Sequence, residues 1–144
     1  MDHIDLLREM ECIDEATRDG TVVLYRMVRG FQVKLEARPM GKDWNVSITG
    51  GDRPHIGAAA LGTPYEKPDG TWSACASVLA LPTHKEDALA RQAAVLLAKR
   101  THRTVLVSCG IHTDALTTDE IGVFVALTQA GIDALAEMLE AKER

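Results

Sequence analysis

Phe31-Gln32-Val33-Lys34-Leu35-Glu36-Ala37-Arg38 alternates apolar and polar side chains without a break. Successive side chains of a strand point to opposite faces, so Phe31, Val33, Leu35 and Ala37 share one face. Gln32, Lys34, Glu36 and Arg38 take the other. One buried face and one wet face predict a half-buried antiparallel strand. Upstream, Thr21 to Val28 is rich in β-branched and aromatic residues and is broken by Gly30, a second strand. Downstream, Pro39, Gly41 and Asp43 form a turn. Trp44, Val46 and Ile48 then alternate with Asn45, Ser47 and Thr49. The close spacing predicts a meander.

Gly50-Gly51-Asp52-Arg53-Pro54 is a dense turn signal. His55 to Leu61 reads as a strand of small residues, which implies close packing of a helix or ligand over the sheet. After a loop with Pro64, Pro68, Asp69 and Gly70, the segment Thr71 to Leu81 alternates again. Trp72, Ala74, Ala76, Val78 and Ala80 lie on one face.

The period then changes from two to 3.6. Thr83-His84-Lys85-Glu86 reads as a capping box, with Thr83 as the cap and Glu86 reaching back. Leu89, Ala93, Leu96 and Leu97 form the buried stripe of the helix that follows. Thr104 to Cys109 is a buried strand ending at Gly110; it follows a helical crossover, so parallel pairing with an earlier strand is open to it. Thr117-Thr118-Asp119-Glu120 is a second capping box, opening a last helix whose stripe runs through Ile121, Phe124 or Val125, Ile132, Leu135 and Leu139. Gly122 and Gly131 inside it each cost up to ~1 kcal/mol against Ala; they suit close contact with a sheet or helix. At the other terminus, Ile4, Leu6, Leu7, Met10 and Ile13 have roughly helical spacing up to Asp19-Gly20.

The order is helix, about five strands, helix, strand, helix. That is an α+β fold: a mainly antiparallel sheet of about five to six strands with two C-terminal helices packed on one face. There is no internal repeat and no linker. The expectation is one domain over 1–144, with 1–19 a helical extension and 20–144 the core.

The composition, 46% hydrophobic and 26% charged over 144 residues, is that of a globular domain and excludes collagen, coiled coil and general disorder. No run approaches the ~18 apolar residues of a membrane span, and the start lacks the pattern of a signal peptide. A soluble cytoplasmic protein is expected. The net charge of −5, from 16 basic and 21 acidic residues, disfavours nucleic acid but leaves room for one local basic pocket. Cys12, Cys75 and Cys109 make no CxxC pair and no zinc spacing, and read as buried free thiols.

No nucleophile elbow, Walker loop, GxGxxG or HExxH is present. Three segments stand out, each with a histidine at the edge of an element. In Gly50-Gly51-Asp52-Arg53-Pro54-His55, glycines let backbone N–H groups approach an anion and Arg53 can pair a phosphate; the plainer alternative is a tight turn with Arg53 in solvent. In Thr83-His84-Lys85-Glu86-Asp87, His84 and Lys85 add positive charge to a helix N-terminus, itself an anion site; the alternative is that Glu86 and Asp87 offset them. In Gly110-Ile111-His112-Thr113-Asp114, His112 and Asp114 lie where ligands of open sheets often bind; the alternative is a polar loop. His55, His84 and His112 with Asp114 also make a conceivable zinc set, at spacings of no compact motif. His3 and His102 read as surface residues.

Taken together, Gly-Gly-Asp-Arg-Pro-His-Ile-Gly (50–57), Leu-Pro-Thr-His-Lys-Glu-Asp (81–87) and Cys-Gly-Ile-His-Thr-Asp (109–114), with Thr-x-x-Glu-Ile (117–121), resemble the LpdD-like prenylated-flavin chaperones. These are small proteins encoded beside UbiD-type aromatic acid decarboxylases such as gallate decarboxylase. The resemblance covers about residues 30–140. It implies a homodimeric α+β fold similar to proteasome assembly chaperones. It also implies a non-catalytic protein that binds reduced prenylated FMN and helps to load it into the apo-decarboxylase. Gly50, Gly51, Arg53, His55, His84, Lys85, His112 and Asp114 carry over as cofactor-binding positions, with Arg53, Lys85 and the helix N-terminus toward the phosphate. Two other readings stay open: an assembly chaperone or accessory subunit without cofactor, and a small metal-dependent enzyme built on His55, His84 and His112.

Overall fold

The computed structural model describes residues 3–81, 86–112 and 116–143. In chain order the elements are α1 (His3–Glu9), β1 (Glu11–Ala16), β2 (Val22–Val28), β3 (Phe31–Met40), β4 (Asp43–Gly51), β5 (Ala58–Glu66), β6 (Trp72–Ala80), α2 (Asp87–Thr101), β7 (Val105–His112) and α3 (Thr118–Lys142). The strands form one seven-stranded sheet in the order β1-β2-β3-β4-β7-β5-β6. The α+β class holds. The sheet is larger than the five to six strands expected, and it is mixed: β4 and β7 run parallel, and every other neighbouring pair is antiparallel.

The extra strand comes from the N-terminal stretch. The expected helical extension over 1–19 is a helix only to Glu9; Glu11–Ala16 then pairs with β2, Ile13 opposite Tyr25. The helical reading holds within α1, where Leu6 is buried, and fails at Ile13, because β1 is exposed at every position and buries no stripe.

The octet 31–38 behaves as read. Val33, Leu35 and Ala37 are fully buried beside Val46, Ile48, Val105 and Val107. α2 packs over β5, β6 and β7, α3 packs over β2 and β3, and the two helices meet on the same face. Small residues permit this closeness. A Cβ at Gly131 of α3 would lie 2.4 Å from Leu35 Cδ1. α3 opens with the expected box: the Glu120 amide donates to Thr117 Oγ1 at 3.2 Å, and the Thr117 amide donates to Glu120 Oε1 at 3.1 Å. Among the described residues α3 is the one helix long and apolar enough to cross a membrane. Here it is a core helix, with Phe124, Leu127, Ile132, Leu135 and Leu139 buried.

Arg26 is buried in the β2 row of Val22, Leu24 and Val28, where Nη1 donates to Asp14 Oδ1 at 2.6 Å and to the Tyr25 carbonyl at 2.9 Å. This ion pair ties β1 to the core. Of the three thiols expected to be buried, only Cys109 is; Cys12 and Cys75 are exposed on the outer strands. His102 is exposed, as read, and its ring stacks on Trp72 at 4.0 Å between centroids.

The sheet face away from the helices divides in two. Its β1–β3 half carries Glu11, Glu15, Lys34, Glu36 and Arg38, and Glu36 sits 3.6 Å from Lys34 and 3.3 Å from Arg38. Across β4, β7, β5 and β6 the outward positions between Asn45 and Thr49, Leu106 and Gly110, Ala59 and Tyr65, and Ser73 and Leu79 hold no charged residue. Leu61, Leu79 and Leu106 are 42%, 80% and 40% exposed there.

Candidate functional site

The site is built at the end of the sheet where the parallel pair β4 and β7 terminates. Gly50 lies opposite Ile111 and Gly51 opposite His112. The ladder runs one residue further, the Asp52 amide donating to the His112 carbonyl at 2.8 Å. From here the chain must pass across β7 to reach β5 on its far side. Glycines make the crossing possible. Gly51 holds φ at 77°, a left-handed turn that favours glycine. At Gly110, a Cβ would fall 1.8 Å from the His55 carbonyl oxygen, so the 52–57 segment lies directly on the β7 backbone. The small residues from Ala58 onward then pack beneath α2, where a Cβ at Gly62 would meet the Ala94 carbonyl. The strand expected from His55 starts only at Ala58, and β7, expected to end at Gly110, continues to His112. That extension carries His112 into the site.

The crossing brings two of the three sequence segments together. Arg53 Nη2 is 2.7 Å from His112 Nε2. Arginine has no acceptor, so the guanidinium donates and Nε2 accepts. The His55 ring lies edge-on to that of His112, with centroids 5.8 Å apart at 87°, and His55 Nδ1 is 3.3 Å from the Arg53 carbonyl oxygen. Gly50, Gly51, Arg53, His55 and His112 therefore converge. His84, Lys85 and Asp114 lie outside the described residues. Among the described residues, no group of three or more histidine, cysteine, aspartate or glutamate side chains could hold a metal ion.

Sequence reasoning missed Glu86, which had been assigned to the capping box after Thr83. Helix α2 begins at Asp87, with Glu86 itself at the cap position and no side-chain cap bond; Thr83 lies outside the described residues. The Glu86 carboxylate instead turns inward, its side chain 12% exposed and Oε1 3.3 Å from His55 Nε2. Oε1 also accepts from the Ile111 amide at 3.3 Å. A Cβ at Gly57 would come 2.4 Å from its Oε2. The third segment thus joins the site through its acid, and the signal for it was Gly57, a glycine with no turn of its own to explain it. Behind the site, burial, with the Glu86 charge second, pushes the Cys109 thiol up to about 12. It is no nucleophile.

The arrangement suits an anion. A guanidinium and an imidazole stand side by side on a glycine turn, where backbone amides come close. Clefts of about 260 and 440 Å³ lie elsewhere. Both carry their own acids, Glu9 on Arg29 in one, and Glu140 on Arg100 and Glu143 on Arg103 in the other.

The sequence over residues 27–140 matches the family model of the prenylated flavin chaperone LpdD-like domain. The chain belongs to the LpdD-like prenylated-flavin chaperone family. The matched region holds the whole site and all of the sheet except β1 and most of β2. No curated protein matches the LpdD-like chain. Among solved structures it is similar to a chaperone complex for yeast 20S proteasome assembly, at 13% identity and a TM-score of 0.44, over 91% of this chain and 98% of that one. At that level the likeness carries no functional weight.

Proposed function

We propose that this LpdD-like protein is a non-catalytic carrier of reduced prenylated FMN, delivering it to a UbiD-type aromatic acid decarboxylase in the cytoplasm. The observation that carries the reading is the pairing of Arg53 with His112 on the Gly50–Gly51 turn. It gives the flavin's phosphate a cation and close backbone amides in a protein whose net charge of −5 would otherwise repel it. Arg53 and the turn would hold the phosphate, and Lys85 is the second cation we assign to it. His55 and His112 would lie toward the ring system. The cofactor's chemistry belongs to the decarboxylase that receives it; what this chain does is bind, orient and release.

The protein acts as a homodimer through the uncharged half of its open sheet face. A second copy is the occupant that this neutrality fits, since two chains of like net charge can meet there without like charges facing one another. An edge of mixed charge on β1–β3 would border the contact.

Anaerobic titration with reduced prenylated FMN, followed by absorbance with reduced FMN as control, tests the carrier role. Saturable binding of the prenylated form, weakened about tenfold or more in Arg53→Ala, is the expected result. An apo-decarboxylase should then activate faster when the cofactor is supplied on this protein than when it is supplied free. Equal activation with and without the protein would remove the carrier role and leave that of an accessory subunit.

A further inference from the structure

The geometry points to Glu86 as the positioning residue of the anion site. A carboxylate is the wrong charge beside an anion, and its 12% exposure costs solvation that must be recovered in hydrogen bonds. The sheet's topology shows where they are made. Along β7, alternate backbone groups face β5: the Cys109 carbonyl accepts from the Gly57 amide at 2.9 Å. The ladder between the two strands stops at Ala58 and Cys109. The next group on that side, the Ile111 amide, lies beyond the start of β5 and has no strand opposite it. Glu86 Oε1 supplies the acceptor.

One carboxylate therefore does what a further strand residue would do, and more. Through Ile111 it fixes the residue before His112. At 3.3 Å from His55 Nε2 and against Gly57, it holds the later half of the 52–57 segment that carries Arg53 across β7. The 2.7 Å contact between Arg53 and His112 joins two stretches of chain that this acid and the backbone bonds at Asp52 and Gly57 help to keep in register. Glu86 touches no ligand in this scheme; it acts through His112 and the 53–57 segment.

The inference rests on reading this end as the anion site, and the test separates the two. Reduced prenylated FMN is titrated into the wild type, Arg53→Ala, Glu86→Ala, Glu86→Gln, Gly57→Ala and Asp87→Asn, while amide exchange is followed at Ile111 and Val107. Glu86→Ala should weaken binding about tenfold or more. Gly57→Ala, which displaces the carboxylate but keeps its charge, should do the same. Glu86→Gln retains an acceptor oxygen and should stay within about threefold of wild type, as should Asp87→Asn, which removes a neighbouring charge only. Exchange at Ile111 should quicken in Glu86→Ala with Val107 unchanged, and recover in Glu86→Gln. Charge alone predicts the opposite sign, since removing an acid strengthens binding of an anion. If Arg53→Ala loses the ligand while Glu86→Ala binds as well or better, the positioning role is overturned and the site stands. If the wild type binds neither reduced prenylated FMN nor reduced FMN, the reading of the site falls. Ile111 exchange then decides the role of Glu86 alone, and unchanged protection in Glu86→Ala overturns it.

Discussion

Gly62 of β5 and Ala94 of α2 meet backbone to backbone: a Cβ on Gly62 would lie 2.3 Å from the Ala94 carbonyl oxygen and 2.8 Å from its carbon. Neither neighbour is the end of a flexible side chain. Gly62→Ala must therefore lift the helix from the sheet, and should destabilise the fold by about 3 kcal/mol, the upper end of ordinary overpacking. Chemical denaturation with a two-state fit measures this. A loss below about 1 kcal/mol would show that α2 is more loosely seated than described.

Gly110→Ala should cost both folding and binding. Its Cβ would strike the His55 carbonyl, so the crossing segment must be displaced from β7. A loss of about 1–3 kcal/mol of stability together with loss of flavin binding is expected, read by thermal denaturation beside the anaerobic titration. Retained affinity would mean that the 52–57 crossing is not part of the site.

Leu79 is 80% exposed on the uncharged half of the open face, and Leu79→Asp should abolish self-association and leave the monomer folded. Light scattering at micromolar concentration reports the mass. A wild-type monomer under those conditions would remove the proposed dimer.

Cys109 makes the fold sensitive to alkali. Its thiol is pushed up to about 12 by burial first and the Glu86 charge second, against about 9 in an unfolded chain. The folded state thus keeps a proton that the unfolded state releases. The stability from this group is complete below about pH 9 and is lost as pH rises toward about 12. The slope is about 1.4 kcal/mol per pH unit across that window. Denaturation midpoints at stepped alkaline pH should fall less steeply in Cys109→Ala than in wild type. Parallel slopes would contradict the burial of the thiol.

The Arg26–Asp14 pair should respond unequally to loss of its partners. Arg26 is the buried one, its side chain 5% exposed against 43% for Asp14. Asp14→Ala strands a buried guanidinium and should cost about 1–3 kcal/mol. Arg26→Met removes the charge with its stem volume roughly kept, and should cost less. Equilibrium unfolding of both variants checks the order.

Much of the fold was legible because burial imposes a period. The octet at 31–38, the Trp44-Val46-Ile48 row and the Thr117 capping box each write their structure into neighbouring residues. β1 was hidden because it buries nothing: Glu11–Ala16 is held by backbone pairing and by Asp14, which leave no hydrophobic rhythm. At the site, Arg53, His55 and His112 could be picked out as polar groups at strand ends. Their meeting depends on β4 pairing with β7 across more than fifty intervening residues, which no local pattern encodes. Glu86 was misread for a related reason. A Thr-x-x-Glu box and a glutamate that serves a distant amide look the same in sequence, and only the early end of β5 distinguishes them.

The position of β7 has a consequence for how the molecule is made. β4 and β5 follow one another in the chain but never touch in the sheet; β7 lies between them. Until residues 105–112 have arrived, the earlier strands are two separate pieces, a four-stranded meander and a hairpin. Arg53 hangs from the first, Gly57 leads into the second, and His112 comes with the wedge that joins them. Such non-local closure belongs to the slow end of folding. The proposed anion site therefore cannot form before β7 is in place, because Arg53 and His112 meet only once β4 and β7 are paired.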